Sequence, residues 1–174
     1  SIGYTVTILP NGTLQFDVVD NNPKYTYTIQ MPKSVFSGAS SAEATFSEIE
    51  AFDSQNNKLT VEILSHTTSF AKAIRGTPSD LINGNFTISA TEGFGPYYQS
   101  WDGTSQTMPD YFEITFKVSG EVVKIDIGHY YDHNPFSFNI IDQDGTSYSS
   151  TSSTNWTGMY NGYHKKSSYT VNTT

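Results

Sequence analysis

Short segments of alternating apolar and polar residues, separated by turn residues, run along the whole chain. Residues 13–19 follow Asn11-Gly12, a pair that is a strong local signal for a β-hairpin. Residues 111–118 and 121–127 flank Ser119-Gly120 and form the clearest predicted hairpin, with every second side chain of 112–118 expected in the core. Many short strands between regular turns predict an all-β sandwich or barrel.

Two other segments leave a choice of structure. Residues 45–52 are compatible with a helix or a strand: Ser40 and Glu43 resemble a capping box, but the turn at 53–57 and the alternation after it favour a strand. Residues 147–154 are almost all Ser and Thr, which predicts either a hydroxyl-rich sheet edge or a flexible loop.

Charge and composition exclude several classes of function. The chain has 174 residues, which is the size of one domain, and a net charge of -8, which would repel a phosphate backbone. We therefore expect no nucleic-acid partner. It has no cysteine, so its stability must come from an apolar core, and it has no apolar run long enough to cross a bilayer. We also expect no signal peptide, because the first residues lack a basic start and an apolar stretch.

The most unusual local composition lies at residues 128–135 (GHYYDHNP), between two apolar segments. Aromatic rings that can stack on a sugar ring and polar groups that can hydrogen-bond its hydroxyls occur together there. The candidate ligand-binding residues of this predicted loop are His129, Tyr130, Tyr131, Asp132, His133 and Asn134. The alternative is a solvated loop whose tyrosines cap the end of the sandwich. A metal site at the two histidines and the aspartate would need a helix to orient them, and none is expected.

Two further aromatic clusters are candidates for ligand binding. Residues 94–103 contain Tyr97 and Tyr98, which could form a stacking platform, and Trp101, which we expect to be partly buried. The other cluster comprises Trp156, Tyr160, Tyr163 and His164, for which aromatic packing at the end of the sheet is an equal alternative.

Catalytic residues are harder to find. Glu92 and Glu113 are the one pair of carboxylates that could act on a glycosidic bond, and Glu113 is placed on the polar side of a strand. The sequence contains no nucleophile elbow and no phosphate-binding glycine loop. We therefore expect no enzyme.

Five segments between residues 45 and 145 resemble a known family in order and spacing. They are 46–57 (FSEIEAFDSQNN), 79–85 (SDLINGN), 109–116 (PDYFEITF), 122–127 (VVKIDI) and 136–140 (FSFNI), the last followed by Asp144-Gly145. Together they resemble the discoidin family, also called coagulation-factor type C domains, and its galactose-binding-like relatives among carbohydrate-binding modules. Trp101 stands where a tryptophan is common in that family.

The resemblance implies one antiparallel jelly-roll β-sandwich over residues 1–174. Residues 34–174 would be the discoidin-like core, and residues 1–33 would add an N-terminal hairpin and a strand. It also implies that the loop at 128–135 contacts ligand, and that a structural Ca²⁺ could bind near Asn83 and Asn85. The family has Asp at the position of Asn83, and a neutral amide is a poorer Ca²⁺ ligand than a carboxylate.

These observations predict a non-catalytic, lectin-like module that binds glycans or glycoconjugates through strand-end loops. We expect an extracellular or surface-exposed location, secreted, on a cell surface or on a virion. A homo-oligomer or a larger parent protein would provide avidity. The alternative is a structural or adhesive surface domain that binds protein or forms a fibre; a glycoside-active enzyme and a binder of lipid headgroups are disfavoured.

Overall fold

The computed structural model describes residues 2–20, 25–36, 42–70, 73–86, 93–98, 109–131, 138–157 and 163–171. The protein is all-β, and the described residues contain no α-helix. The strands of this part are β1 Ile2–Ile8, β2 Leu14–Asp20, β3 Thr26–Pro32, β4 Ala42–Phe52, β5 Lys58–Leu59, β6 Val61–His66, β7 Ala73–Arg75, β8 Gly95–Tyr98, β9 Tyr111–Val118, β10 Lys124–Tyr131, β11 Asn139–Asp142, β12 Ser147–Tyr148, β13 Ser150–Thr157 and β14 Tyr163–Thr170.

Two short 3₁₀ helices, Lys33–Phe36 and Pro78–Ile82, lie between strands. Among the residues described, no helix has the length and apolar character needed to cross a membrane.

The strands form three antiparallel sheets. A five-stranded sheet has the order β12-β11-β3-β9-β6, and a seven-stranded sheet has the order β13-β14-β10-β4-β8-β7, with β5 paired to β4. Strands β1 and β2 form a separate two-stranded sheet. The prediction of an all-β protein is therefore confirmed.

The two larger sheets share one hydrophobic core. In β9 the buried positions alternate, as the sequence predicts, and the core residues of the seven-stranded sheet come mainly from β4 and β10. Aromatic rings connect the two sheets: Phe94, which is bridged to Phe46 of β4, lies 6.1 Å from Phe112 of β9. The ring of Phe46 in turn meets Phe138 edge-on at 5.1 Å. The fold is therefore sandwich-like, with apolar faces buried between the sheets.

The predicted hairpin of β9 and β10 is wrong, although both strands exist. Strand β9 pairs with β3 and β6, whereas β10 pairs with β4 and β14 in the other sheet. The connection crosses the edge of the core: the Val118 amide donates to the Tyr25 carbonyl, and the Val123 amide donates to the Phe52 carbonyl. Each of the two strands has one apolar face. This face is buried when the strands face each other across the core, and it would be buried equally if they were neighbours in one sheet.

The segment that was compatible with a helix or a strand is a strand. Residues 45–52 belong to β4, a long strand that pairs with β10, β8 and β5. Its hairpin with β5 is short, because the chain leaves at Thr60 and continues as β6 in the five-stranded sheet. The Asp53 carboxylate holds the turn by accepting hydrogen bonds from the amides of Gln55 and Asn57.

The Ser/Thr-rich segment is an edge rather than a loop. Most of it is β13, which ends the path of the seven-stranded sheet and pairs with β14.

Gly128 in β10 allows a test of how closely neighbouring groups pack on the seven-stranded sheet. The Ser47 hydroxyl donates to the Phe86 carbonyl beside it, at 2.8 Å. A Cβ atom on Gly128 would lie 2.2 Å from Ser47 Oγ and 2.8 Å from Phe86 Cδ1. Accommodating it requires the hydroxyl and the ring to shift.

We therefore expect Gly128→Ala to lower the free energy of unfolding by about 2 kcal/mol, as overpacking typically does. Denaturant unfolding measures it. Gly120→Ala is the matched control, because its Cβ would meet Leu59 at an ordinary 3.7 Å. Equal stability of the two variants would contradict this packing.

Candidate functional site

The stretch predicted as a ligand-binding loop begins as a central strand. Strand β10 continues to Tyr131 and is flanked by β4 and β14 throughout residues 128–131. His129 is 2% exposed and Tyr130 is 1% exposed. The expectation that these two residues lie in an exposed loop is wrong, because β10 continues through them as a central strand and both are buried.

His129 is a core residue with a defined structural environment. Its Nε2 atom is hydrogen-bonded with the Ser167 hydroxyl at 3.1 Å, and its ring meets Phe138 edge-on at 5.0 Å. Burial, with a smaller effect of Lys165, lowers the pKa of His129 from 6.5 to about 3. The imidazole is therefore neutral near pH 7, and it cannot reach a ligand in this conformation.

The other members of the predicted loop are placed only in part. The backbone of Tyr131 ends β10 opposite Ala44 and Tyr163. Its side chain lies outside the described part of the chain, and Asp132, His133 and Asn134 lie outside the described residues altogether.

Tyr97 and Tyr98 lie in β8 and pair with the beginning of β4, opposite Glu43 and Ala42. Their side chains also lie outside the described part of the chain.

Strand register brings the three aromatic clusters of the sequence to one end of the seven-stranded sheet. At this end β10 finishes at Tyr131, β14 begins at Tyr163, and Tyr97 precedes the last residue of β8. Trp156, next to the end of β13, pairs with His164. We call this set of positions the aromatic end; it comprises Tyr97, Tyr98, Tyr131, Trp156, Tyr163 and His164.

The convergence at the aromatic end follows from antiparallel pairing. Strand β4 begins where β10 and β8 finish, and β14 begins where β13 finishes. Three clusters that are well separated in the chain thus reach one rim of the sheet. Sequence reasoning found the clusters but not their convergence, because register between non-consecutive strands has no local signal.

A shallow depression on the five-stranded sheet is a second candidate. It has a volume of about 290 Å³ and is lined by Tyr25, Thr60, Glu62, Lys117, Val118 and Ser119. Tyr25 has a φ of 64°, a left-handed conformation that is uncommon for a bulky residue. The volume is at the lower end of the range for small-molecule sites. Sequence analysis did not single out this depression.

The loop expected to hold Ca²⁺ is organised by a buried glutamate. Glu48 Oε2 accepts hydrogen bonds from the amides of Gly84 and Asn85, and Asn83 Oδ1 accepts another from Asn85. Burial is the main cause that raises the pKa of Glu48. The loop thus directs N–H donors at its nearest carboxylate, whereas a cation requires several oxygen ligands. The described residues contain no group of three His, Asp or Glu side chains that could hold a metal, and the Ca²⁺ site near Asn83 and Asn85 stays a prediction.

The described residues do not show Glu92 and Glu113, the pair of carboxylates considered for catalysis, close to each other. Glu92 lies outside the described residues. Glu113 in β9 accepts a hydrogen bond from Gln30 Nε2 on the neighbouring strand, at 3.4 Å.

Comparison with known proteins gives no family. The chain matches no protein-family model, no curated protein and no solved structure. The resemblance to discoidin domains therefore stays a prediction.

The burial of His129 has a consequence for stability in acid. The unfolded chain takes up a proton near pH 6.5, whereas the folded protein does so near pH 3. Between these values the unfolded state binds more protons, so the free energy of unfolding falls as the pH falls, by up to about 1.4 kcal/mol per pH unit. Above pH 6.5 this contribution is fully present.

We expect His129→Gln, which keeps a polar group near the position of Nε2, to flatten the decline in stability between pH 6 and pH 4. Urea unfolding at several pH values measures the slope. His66→Gln replaces a half-buried histidine and should leave the His129 contribution in place. A slope unchanged by His129→Gln would contradict the assignment.

Proposed function

We propose that the protein is a non-catalytic carbohydrate-binding module that binds glycans at the aromatic end of the seven-stranded sheet. The observation that carries this proposal is the strand register, which gathers tyrosine, tryptophan and histidine positions from four strands at one rim. Aromatic rings stack on the apolar faces of sugars, and phenol and imidazole groups hydrogen-bond their hydroxyls.

The position of this rim agrees with how sandwiches present binding residues. Loops at strand ends are supported by a rigid sheet and carry function disproportionately. The predicted ligand residues Asp132, His133 and Asn134 directly follow Tyr131, the last residue of β10, in the chain. His129 and Tyr130 are excluded from direct contact with ligand by their burial, and they support the strand from which the loop departs.

We infer further that the two larger sheets form a galactose-binding-like jelly roll, as the resemblance implies. The shared core of the two sheets supports this arrangement. A glycan-binding module of this kind would act outside the cell or on a virion surface, alone or within a larger protein. A structural or adhesive domain is the second candidate, and the exposed apolar side chains of the β1–β2 hairpin favour it.

Glycan-array binding of matched variants tests the proposed function. We expect Tyr131→Ala and His133→Ala to lower the array signal at least tenfold, which corresponds to about 1.4 kcal/mol of binding free energy. Their thermal unfolding should stay within a few degrees of wild type. Tyr111→Ala removes an exposed tyrosine from β9 in the other sheet and should keep full binding.

The depression at Tyr25 supplies the competing location. Asn tolerates a positive φ better than Tyr does, so Tyr25→Asn removes the ring without straining the backbone. Loss of binding in Tyr25→Asn alone would move the glycan site to the five-stranded sheet. Absence of glycan binding by the wild-type chain on a broad array would refute the proposed function.

A further inference from the structure

The β1–β2 hairpin exposes an apolar face that nothing in the described structure covers. Its register pairs Val6 with Phe16 and Ile8 with Leu14, and Tyr4 follows on the same side. These five residues are between 52% and 72% exposed. No residue of the hairpin belongs to the hydrophobic core or packs against it among the described residues.

The two sides of the hairpin differ sharply in chemistry. The side opposite the apolar face carries Thr5, Thr7, Gln15 and Asp17, and Gln15 Nε2 donates to both carboxylate oxygens of Asp17. Alternation of this quality is typical of a strand pair with one buried side and one solvated side. The sequence therefore encodes a buried face, although no other part of the described structure covers it.

An isolated two-stranded hairpin is marginally stable in water and needs further packing. Its turn is well made: the Leu9 amide donates to the Thr13 carbonyl, and Gly12 adopts the positive φ that the turn requires. The turn fixes the register, but it buries no apolar surface. The stabilising contact must come from another surface.

The size of the face indicates a protein interface. At roughly 100–200 Å² for each extended side chain, the five residues expose about 600 Å² of largely apolar surface. This reaches the upper end for the largest patch on a typical monomer, and it is most of the about 800 Å² that each partner contributes to a standard interface.

We propose that this face packs against the same face of a second copy of the chain. The three register positions nearest the turn on this face carry no charged residue, so stacking them buries no ion. Asp17 is on the opposite side, and Asp20, which shares the side of the apolar face by register, pairs with Ile2 at the end of the hairpin away from the turn. Uncharged faces rich in aromatic and β-branched residues are typical of obligate homo-oligomers.

Charge also favours the hairpin as the place of contact. The chain has a net charge of -8, so two copies repel each other over most of their surface. The apolar face is where they can approach without bringing acidic groups together. Two such faces would stack with about 10 Å between the sheets, as facing sheets do. The large side chains of Tyr4 and Phe16 would lie beside the smaller Val6. Closed symmetric oligomers are built from self-complementary contacts of this kind.

Two adjacent substitutions test the proposal. Val6→Glu and Thr7→Glu replace β-branched residues with the same charged residue on opposite sides of one strand. Their effects on strand propensity and net charge are matched. Light scattering coupled to size-exclusion chromatography, at micromolar concentrations, gives the mass of each.

We expect wild type and Thr7→Glu to have at least twice the mass of one chain, and Val6→Glu to have the mass of a single chain. Circular dichroism should show the same thermal transition for the sandwich in all three, because the hairpin is outside its core. Hydrogen exchange at β1 and β2 should quicken when the wild type is diluted.

A monomeric wild type, or equal dissociation of both variants, would overturn the proposal. Protected hairpin amides in a monomer would show instead that the face docks on its own domain.

Discussion

Burial of two apolar sheet faces against each other is the constraint on which this protein depends. The chain has no cysteine, and its described part contains no α-helix, so its core is built mainly by the sheets, with Leu81 of the short 3₁₀ helix Pro78–Ile82 packed into it. The side chains of β3 and β9 on one sheet, and of β4 and β10 on the other, fill one core. Because each strand has a single apolar face, register fixes which residues are inside and which reach the rim.

That constraint explains which parts of the fold could be predicted. Alternation identified β2, β4 and β9 as strands and placed Phe112 and Phe116 in the core, because inward and outward positions have a period of two. It could not identify the partner of each strand. Strands β9 and β10 are separated by a short turn-like segment, but their apolar faces meet across the core. The local sequence is equally compatible with this arrangement and with a hairpin.

The candidate site shows the same division between local and non-local information. Residues 128–131 have the composition of a binding loop, yet they form part of a central strand between β4 and β14, and His129 and Tyr130 are buried. Composition reports what a side chain can do, whereas burial depends on strands that are distant in the chain. The same distant pairing assembles the aromatic end, where it brings the positions of Tyr97, Tyr98 and Tyr131 to the same rim as Trp156, Tyr163 and His164.

The proposed glycan site and the proposed hairpin interface rest on different residues, yet they would complement each other physically. A single shallow site at a strand rim binds a sugar with few contacts, so its affinity is limited by the small area that it desolvates. Linking several sites raises the effective concentration of the second and later contacts, and can strengthen overall binding by a factor of about 10² to 10⁴. The β1–β2 hairpin is suited to this linking, because it stands apart from the core and can pair with another copy without changing the sheet that ends at Tyr131 and Tyr163. Assembly would thus increase the strength of glycan binding while leaving the specificity of each site to the aromatic end.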